Sequence, residues 1–138
     1  VAAQKLKDGL STSEVFLLGP GVDPARYDAA RAAARSADTV LVGLFHQRNV
    51  YRDRGVLPPR DLALVRSFAD GGKRTLVLSF GNPYLARDLP EVTAYVVGYG
   101  EGGFYGNQLV YADAFQRLLK GEIRAEGKSP VQVFDQKP

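Results

Sequence analysis

The sequence predicts an α/β domain, a three-layer, doubly wound, mostly parallel sheet of about five strands with one antiparallel edge strand. Short apolar runs alternate with helical patterns along the chain, the signature of βαβ units with helices on the faces of a sheet. The run Thr39-Val40-Leu41-Val42-Gly43-Leu44-Phe45 is continuously apolar rather than alternating, as expected of a strand covered on both faces. The length of 138 residues, 45% of them hydrophobic, fits one compact domain spanning 1–138 with a sizeable core.

Ala2 to Leu10 reads as a short helix with no strand before it. A doubly wound sheet ordinarily begins with a strand, so a first strand is expected in residues outside this chain. The opening on Val1, with no Met and no signal-peptide pattern, is likewise expected of a piece of a longer precursor. Val15-Phe16-Leu17-Leu18 reads as a short strand stopped by Gly19-Pro20-Gly21. Asp23-Pro24 then opens a helix as an N-cap with Pro in the first turn. That helix runs Ala25 to Ala37; its small residues let it lie close on a sheet while Arg26 and Arg35 project outward.

Thr39 to Phe45 is expected at the sheet's centre. Pro58-Pro59-Arg60-Asp61 begins the next helix, with Leu62, Leu64, Val65 and Phe68 on one face and Gly71-Gly72 at its end. The strand Thr75 to Phe80 breaks into Gly81-Asn82-Pro83-Tyr84. Pro90 and Glu91 introduce a strand over Ala94 to Tyr99, a Gly-rich loop reaches Asn107, and Gln108 to Leu119 forms the last long helix before Gly121. Val131-Gln132-Val133-Phe134 is expected to close the sheet as the antiparallel edge.

Composition excludes several classes. No window holds the roughly 18 consecutive apolar residues of a membrane-spanning helix, so no membrane partner is expected. The net charge of +3 is spread among interspersed acids, and the densest basic cluster is only Arg48, Arg52 and Arg54. No nucleic-acid partner is expected of such a surface. The absence of Cys removes disulfides, thiolate zinc sites and a cysteine nucleophile, whichever compartment the protein occupies.

Ligands of open parallel sheets bind beyond the carboxyl ends of the strands, which directs attention to the loops after Phe45, Phe80 and Tyr99. The first, His46 to Arg54, holds the only His and three Arg suited to bidentate contacts with an anion or sugar hydroxyls. Its residues His46, Gln47 and Arg48 are candidate substrate-facing groups; the plain alternative is a solvated surface loop. No G-x-S-x-G elbow accompanies the lone His, and one His without acidic neighbours at ligand spacing makes no metal site.

Gly98-Tyr99-Gly100-Glu101-Gly102-Gly103 satisfies G-x-G-x-x-G, but it lies in a late βα turn and the next distant acid, Glu122, follows a helix rather than a strand. A nucleotide-binding domain using Gly98 to Gly103 therefore stays an alternative. The plainer account is a Gly-rich loop with Phe104 and Tyr105 as anchors and Asn107 near the next N-cap. Such a loop also suits sugar rings, with Tyr99 and Glu101 toward the substrate.

In Gly81-Asn82-Pro83-Tyr84 the Gly and Pro enforce a sharp exit from the strand and Asn82 can bond its own backbone. Asn82 and Tyr84 are substrate-facing candidates as well, while Tyr84 and Tyr99 equally suit a domain interface. Glycoside hydrolysis needs two carboxyl groups, and no clear pair is present: Asp53 is flanked by Arg52 and Arg54, while Asp88, Glu91 and Glu122 read as surface or turn residues. No catalytic residue, no metal and no cofactor is assigned.

Phe80-Gly81-Asn82-Pro83-Tyr84, Leu118-Leu119-Lys120-Gly121-Glu122 and Gly127-Lys128-Ser129-Pro130-Val131, in that order and with the strand Thr39 to Gly43 ahead of them, resemble the C-terminal α/β domain of glycoside hydrolase family 3. The resemblance covers most of the chain from Ala37 onward and implies a flavodoxin-like fold. In that family the nucleophilic Asp lies in a preceding (β/α)8 barrel. Members of the β-glucosidase type place a Glu acid/base in the loop after a strand like Thr39 to Phe45, whereas His46 to Leu57 contains no Glu. Members of the β-N-acetylglucosaminidase type carry an Asp-His pair in a barrel loop and use this domain as a cover or scaffold. The resemblance therefore implies a non-catalytic C-terminal accessory domain of a retaining glycosidase acting on β-linked N-acetylglucosamine or glucose. Its implied partners are the barrel of the same polypeptide and a carbohydrate substrate, with self-association through an exposed apolar face as a further expectation. A stand-alone carbohydrate or small-ligand binding module is the other alternative. Ser129, where Leu is commoner before the Pro, departs from the family pattern.

Overall fold

The computed structural model describes residues 2–10, 14–45, 56–99 and 108–133. In chain order the elements are α1 (Ala2–Asp8), α2 (Pro24–Ser36), β1 (Thr39–Leu44), α3 (Pro59–Asp70), β2 (Arg74–Ser79), a 3-10 helix (Pro83–Asp88), β3 (Ala94–Val97) and α4 (Gln108–Leu119). The three strands form one parallel sheet in the order β1-β2-β3, with Val42 opposite Val77 and Leu78 opposite Val96.

Alternation along the strands sorts side chains onto two covered faces. Leu41, Phe45, Leu78, Phe80 and Val96 pack with Leu6 of α1 and with Ala112 and Phe115 of α4. Val42, Leu44, Val77 and Tyr95 face the other way, against Val65 of α3 and Leu85 and Leu89 of the 3-10 segment. Val40 and Val42 also meet Tyr27 and Ala34 of α2 together with Leu64 and Phe68 of α3. The molecule is thus three-layered, with α1 and α4 on one face and α2, α3 and the 3-10 helix on the other.

Helix ends follow their capping chemistry. Asp23 accepts a hydrogen bond from the Ala25 amide at 2.8 Å and Pro24 occupies the first turn of α2. The Tyr27 hydroxyl donates to Asp61 Oδ1 at 2.6 Å, and the Arg60 guanidinium lies 3.8 Å from the Tyr27 ring centroid, so the first turns of α2 and α3 are clamped together. At the far end of α3, Gly72 takes a φ of +73° that a side chain would resist.

Three expectations about strands change. Among the described residues the centre of the sheet is β2, where Val77 and Leu78 are fully buried, and β1 is an edge. A continuously apolar strand reports that both of its faces are covered, and β1 meets that condition without a second strand neighbour. Val15 to Leu18 forms no strand; Leu18 packs against the α2–α3 cluster while Leu17 stays 64% exposed. Val131 to Val133 is also irregular, its carbonyls being taken by a side chain instead of a neighbouring strand, and Phe134 lies outside the described residues.

Candidate functional site

The carboxyl ends of the three parallel strands open at one edge, and β2 organises it. The Ser79 hydroxyl donates to the Asn82 carbonyl at 3.1 Å, and the Tyr95 hydroxyl donates to the same oxygen at 3.2 Å. Asn82 Oδ1 accepts from the Tyr84 amide at 2.9 Å, capping the 3-10 helix. Asn82, buried at 7% exposure, therefore shapes the exit from β2, the role its position after Gly81 suggested. Burial pushes the Tyr95 phenol up to about 12, the Asp88 charge adding to the rise and the Ser79 hydrogen bond opposing it. Tyr95 stays protonated near neutrality and serves as a fixed donor rather than a proton shuttle.

Beneath this turn lies an aromatic floor. The Phe45 and Phe80 rings stack at 4.2 Å, and Phe115 of α4 meets Phe80 edge-on at 4.9 Å. The Gly98 amide donates to the Ser79 carbonyl at 2.9 Å, which sets the segment after β3 beside the segment after β2. Asn82, Tyr84 and Tyr99 are thereby brought to one edge. His46, Gln47, Arg48 and Glu101 lie outside the described residues, as do Asp53, Phe104, Tyr105 and Asn107.

Among the described residues, large hydrophobic side chains stand exposed at this edge. Val56 just before α3, Tyr84 after β2, Tyr99 after β3 and Val110 in the first turn of α4 are 54%, 39%, 43% and 68% exposed. Each belongs to a segment following a strand or opening a helix at the carboxyl edge. Residues 129–133 run along it too: the Tyr99 and Ser129 hydroxyls share a hydrogen bond, and Arg87 donates from Nε to the Val133 carbonyl at 2.6 Å and from Nη2 to the Gln132 carbonyl at 3.3 Å. The same guanidinium sits 5.1 Å from the Tyr84 ring centroid.

Ser79, Tyr95, Arg87 and Ser129 were not recognised in the sequence as parts of this edge. Ser79 carries a usable signal, a lone hydroxyl within the apolar run Leu76 to Phe80. Arg87 carries none, because its partners stand 45 and 46 residues away.

Chemically the described part of this edge offers hydroxyls, aromatic faces and exposed guanidinium groups, Arg87 among them. Glu91 and Glu122 are exposed, and Glu122 pairs with Arg117 at 3.5 Å, at the far end of α4 from this edge. Among the described residues no group of three or more His, Cys, Asp or Glu could hold a metal, and no helix is long and apolar enough to cross a membrane. Away from this edge, a groove of about 250 Å³ lies between the last turns of α2 and α3. There Lys73 Nζ donates to the Arg35 and Ala37 carbonyls at 2.7 and 3.0 Å, closing the end of α2. Comparison with protein-family models, curated proteins and solved structures finds no match to this chain.

Proposed function

We propose that this chain is the non-catalytic C-terminal domain of a family 3 glycoside hydrolase, whose carboxyl edge covers or completes the active site of a separate (β/α)8 barrel. The barrel hydrolyses β-linked N-acetylglucosamine or glucose with retention, and the loops bearing His46, Gln47, Arg48, Asn82, Tyr84, Tyr99 and Glu101 face its substrate. The fold belonging to this reading is the flavodoxin-like sheet of about five strands, doubly wound, of which three parallel strands are described.

The observation that carries the reading is the placement of exposed Val56, Tyr84, Tyr99 and Val110 on the one edge where parallel sheets meet ligands and partners. Aromatic groups with a polar tip suit such a surface, because the ring is covered by a partner while the hydroxyl keeps a hydrogen bond, as Tyr99 does with Ser129. Asn82 and Tyr95, occupied in shaping the turn, supply rigidity rather than proton transfer.

Turnover of an aryl N-acetyl-β-glucosaminide and an aryl β-glucoside tests the proposal. The chain alone is expected to show no hydrolysis, and the same residues joined to a family 3 barrel are expected to hydrolyse one of the two with retention. Hydrolysis by the chain alone overturns it. Millimolar sugar affinity of the isolated chain in calorimetry would favour a binding module instead. A rise in melting temperature with NAD would favour a nucleotide site.

A further inference from the structure

We infer that the groove between the last turns of α2 and α3 binds a small aryl carboxylate, a one-ring monoanion held by Arg35 and Lys73 with its ring against Ala34 and Phe68. The groove lies at the amino edge of the sheet, since α2 ends just before β1 begins and α3 just before β2. It is opposite the edge proposed to face a barrel and does not rest on that reading.

The helices build the groove by their periodicity. Residues four apart stand one above the other on a helix, so Arg31 and Arg35 form a wall from α2, while Ser67 and Gly71 form the other from α3. Ala34 and Phe68, 8% and 7% exposed, lie at the floor and belong to the cluster that joins the two helices. Lys73, just beyond α3, closes the end. The space is about 250 Å³, a little under the roughly 300–1,000 Å³ of pockets for drug-sized ligands. Such a volume suits one ring with a short acid arm rather than a nucleotide or a sugar chain.

Charge selects the ligand. Arg31, Arg35 and Lys73 line the groove and no acidic residue does. Asp28 engages Arg31 at 3.0 Å, but among the described residues neither Arg35 nor Lys73 pairs with a carboxylate. The partial negative charge that gathers at helix C-termini is already answered here. Lys73 Nζ donates to the Arg35 and Ala37 carbonyls, and the amides of Gly71, Gly72 and Lys73 donate to the carbonyls of Ser67, Ala69 and Phe68. An ammonium has three donors, and those two carbonyls leave one for an anion. Arg35 is exposed, and its planar fork matches the two oxygens of a carboxylate.

The rest of the lining calls for an apolar body. The Ser67 hydroxyl donates to the Leu64 carbonyl at 2.6 Å, so its polar atom is turned onto its own helix. Beyond it the walls are the aliphatic stems of Arg31, Arg35 and Lys73 above Ala34 and Phe68. An inorganic anion would leave that apolar surface wet, and a neutral ring would leave two cations without a counter-charge. A ring with a carboxylate one or two bonds away satisfies both.

The test titrates the 138-residue chain with phenylacetate, with its uncharged isostere phenylacetamide and with acetate, following backbone amide shifts by NMR. Phenylacetate is expected to shift Ala34, Arg35, Ser67, Gly71 and Lys73 along one saturating curve in the millimolar range. Phenylacetamide and acetate are each expected to bind about tenfold more weakly or not at all. Arg35→Gln should weaken phenylacetate about threefold, and Ser67→Leu, which fills the groove without changing its charge, should abolish the curve. Equal binding of phenylacetamide overturns the inference, as do shifts that never saturate or that spread to Arg117 and Lys120, basic residues outside the groove. If Ser67→Leu does not fold, Arg35→Gln at its exposed position decides, and an unchanged curve there overturns the inference.

Discussion

Replacing Gly98 by Ala separates packing from ligand binding at the motif Gly98 to Gly103. Gly98 is buried after β3 and does not adopt a positive φ, so its backbone accepts an L side chain. The space does not. A methyl carbon there would lie 2.6 Å from Tyr111 Cδ1, 3.1 Å from Tyr111 Cγ and 3.2 Å from Phe115 Cζ. Favourable carbon–carbon contact is about 3.5–4.0 Å, and the atoms struck first belong to the inner part of the Tyr111 ring, not to a mobile tip.

Phe115 is 4% exposed and locked edge-on to Phe80, so α4 must shift or Tyr111 must leave its rotamer. Overpacking of this kind costs about 1–3 kcal/mol, against about 0.4–1 kcal/mol recovered from the less flexible unfolded chain. The net loss is about 1–2 kcal/mol, a fall in Tm of roughly 3–10 °C for a domain of this size. Urea and thermal unfolding followed by circular dichroism measure it. In a Tyr111→Leu background the clash is relieved, and the cost of Gly98→Ala should fall by about half or more. An unchanged midpoint, or the same cost in both backgrounds, would refute the packing account.

Asp23→Ala removes the side-chain acceptor of the Ala25 amide and should lower stability by about 1 kcal/mol in urea titration, whereas Asp23→Asn should be nearly neutral. Tyr95 has a folded pKa raised to about 12 from an ordinary 10, so the stability it contributes is present in full below pH 10 and lost as pH rises through 12. Unfolding at pH 11 should show a loss of about 1 kcal/mol relative to pH 9 that shrinks in Tyr95→Phe. Arg87→Ala should leave global stability within about 0.5 kcal/mol, because Arg87 is exposed, yet raise amide exchange from Ser129 to Val133.

Helices were the most legible part of the sequence. Gln108 to Leu119 has the bounds its pattern suggests, and Asp23-Pro24 starts α2 by the capping chemistry those two residues encode. Local signals suffice there because a cap and its partner stand two residues apart. Strand position was less legible. An apolar run reports that both faces are covered, a condition met by β1, an edge strand among the described residues, as well as by central β2, while Val15 to Leu18, rich in strand-forming residues, is irregular.

At the carboxyl edge the turn made by Asn82 was readable because its bonds are local. The convergence of Ser79 and Tyr95 on one carbonyl, and of Arg87 on Gln132 and Val133, depends on tertiary placement that neither spacing nor periodicity encodes. The glycine at position 98 was readable as a loop signal, but its close approach to two aromatic rings of α4 was not.

The most direct test of the proposed role is amide hydrogen exchange on this chain alone and on the same residues joined to a family 3 barrel. Residues 80–87 and 98–99, at the carboxyl edge, are expected to gain about tenfold or more protection in the joined protein, while Gly71 to Lys73 and Leu119 to Glu122 at the opposite edge stay unchanged. Protection confined to that opposite edge, or none at either, would contradict a carboxyl edge that faces the barrel.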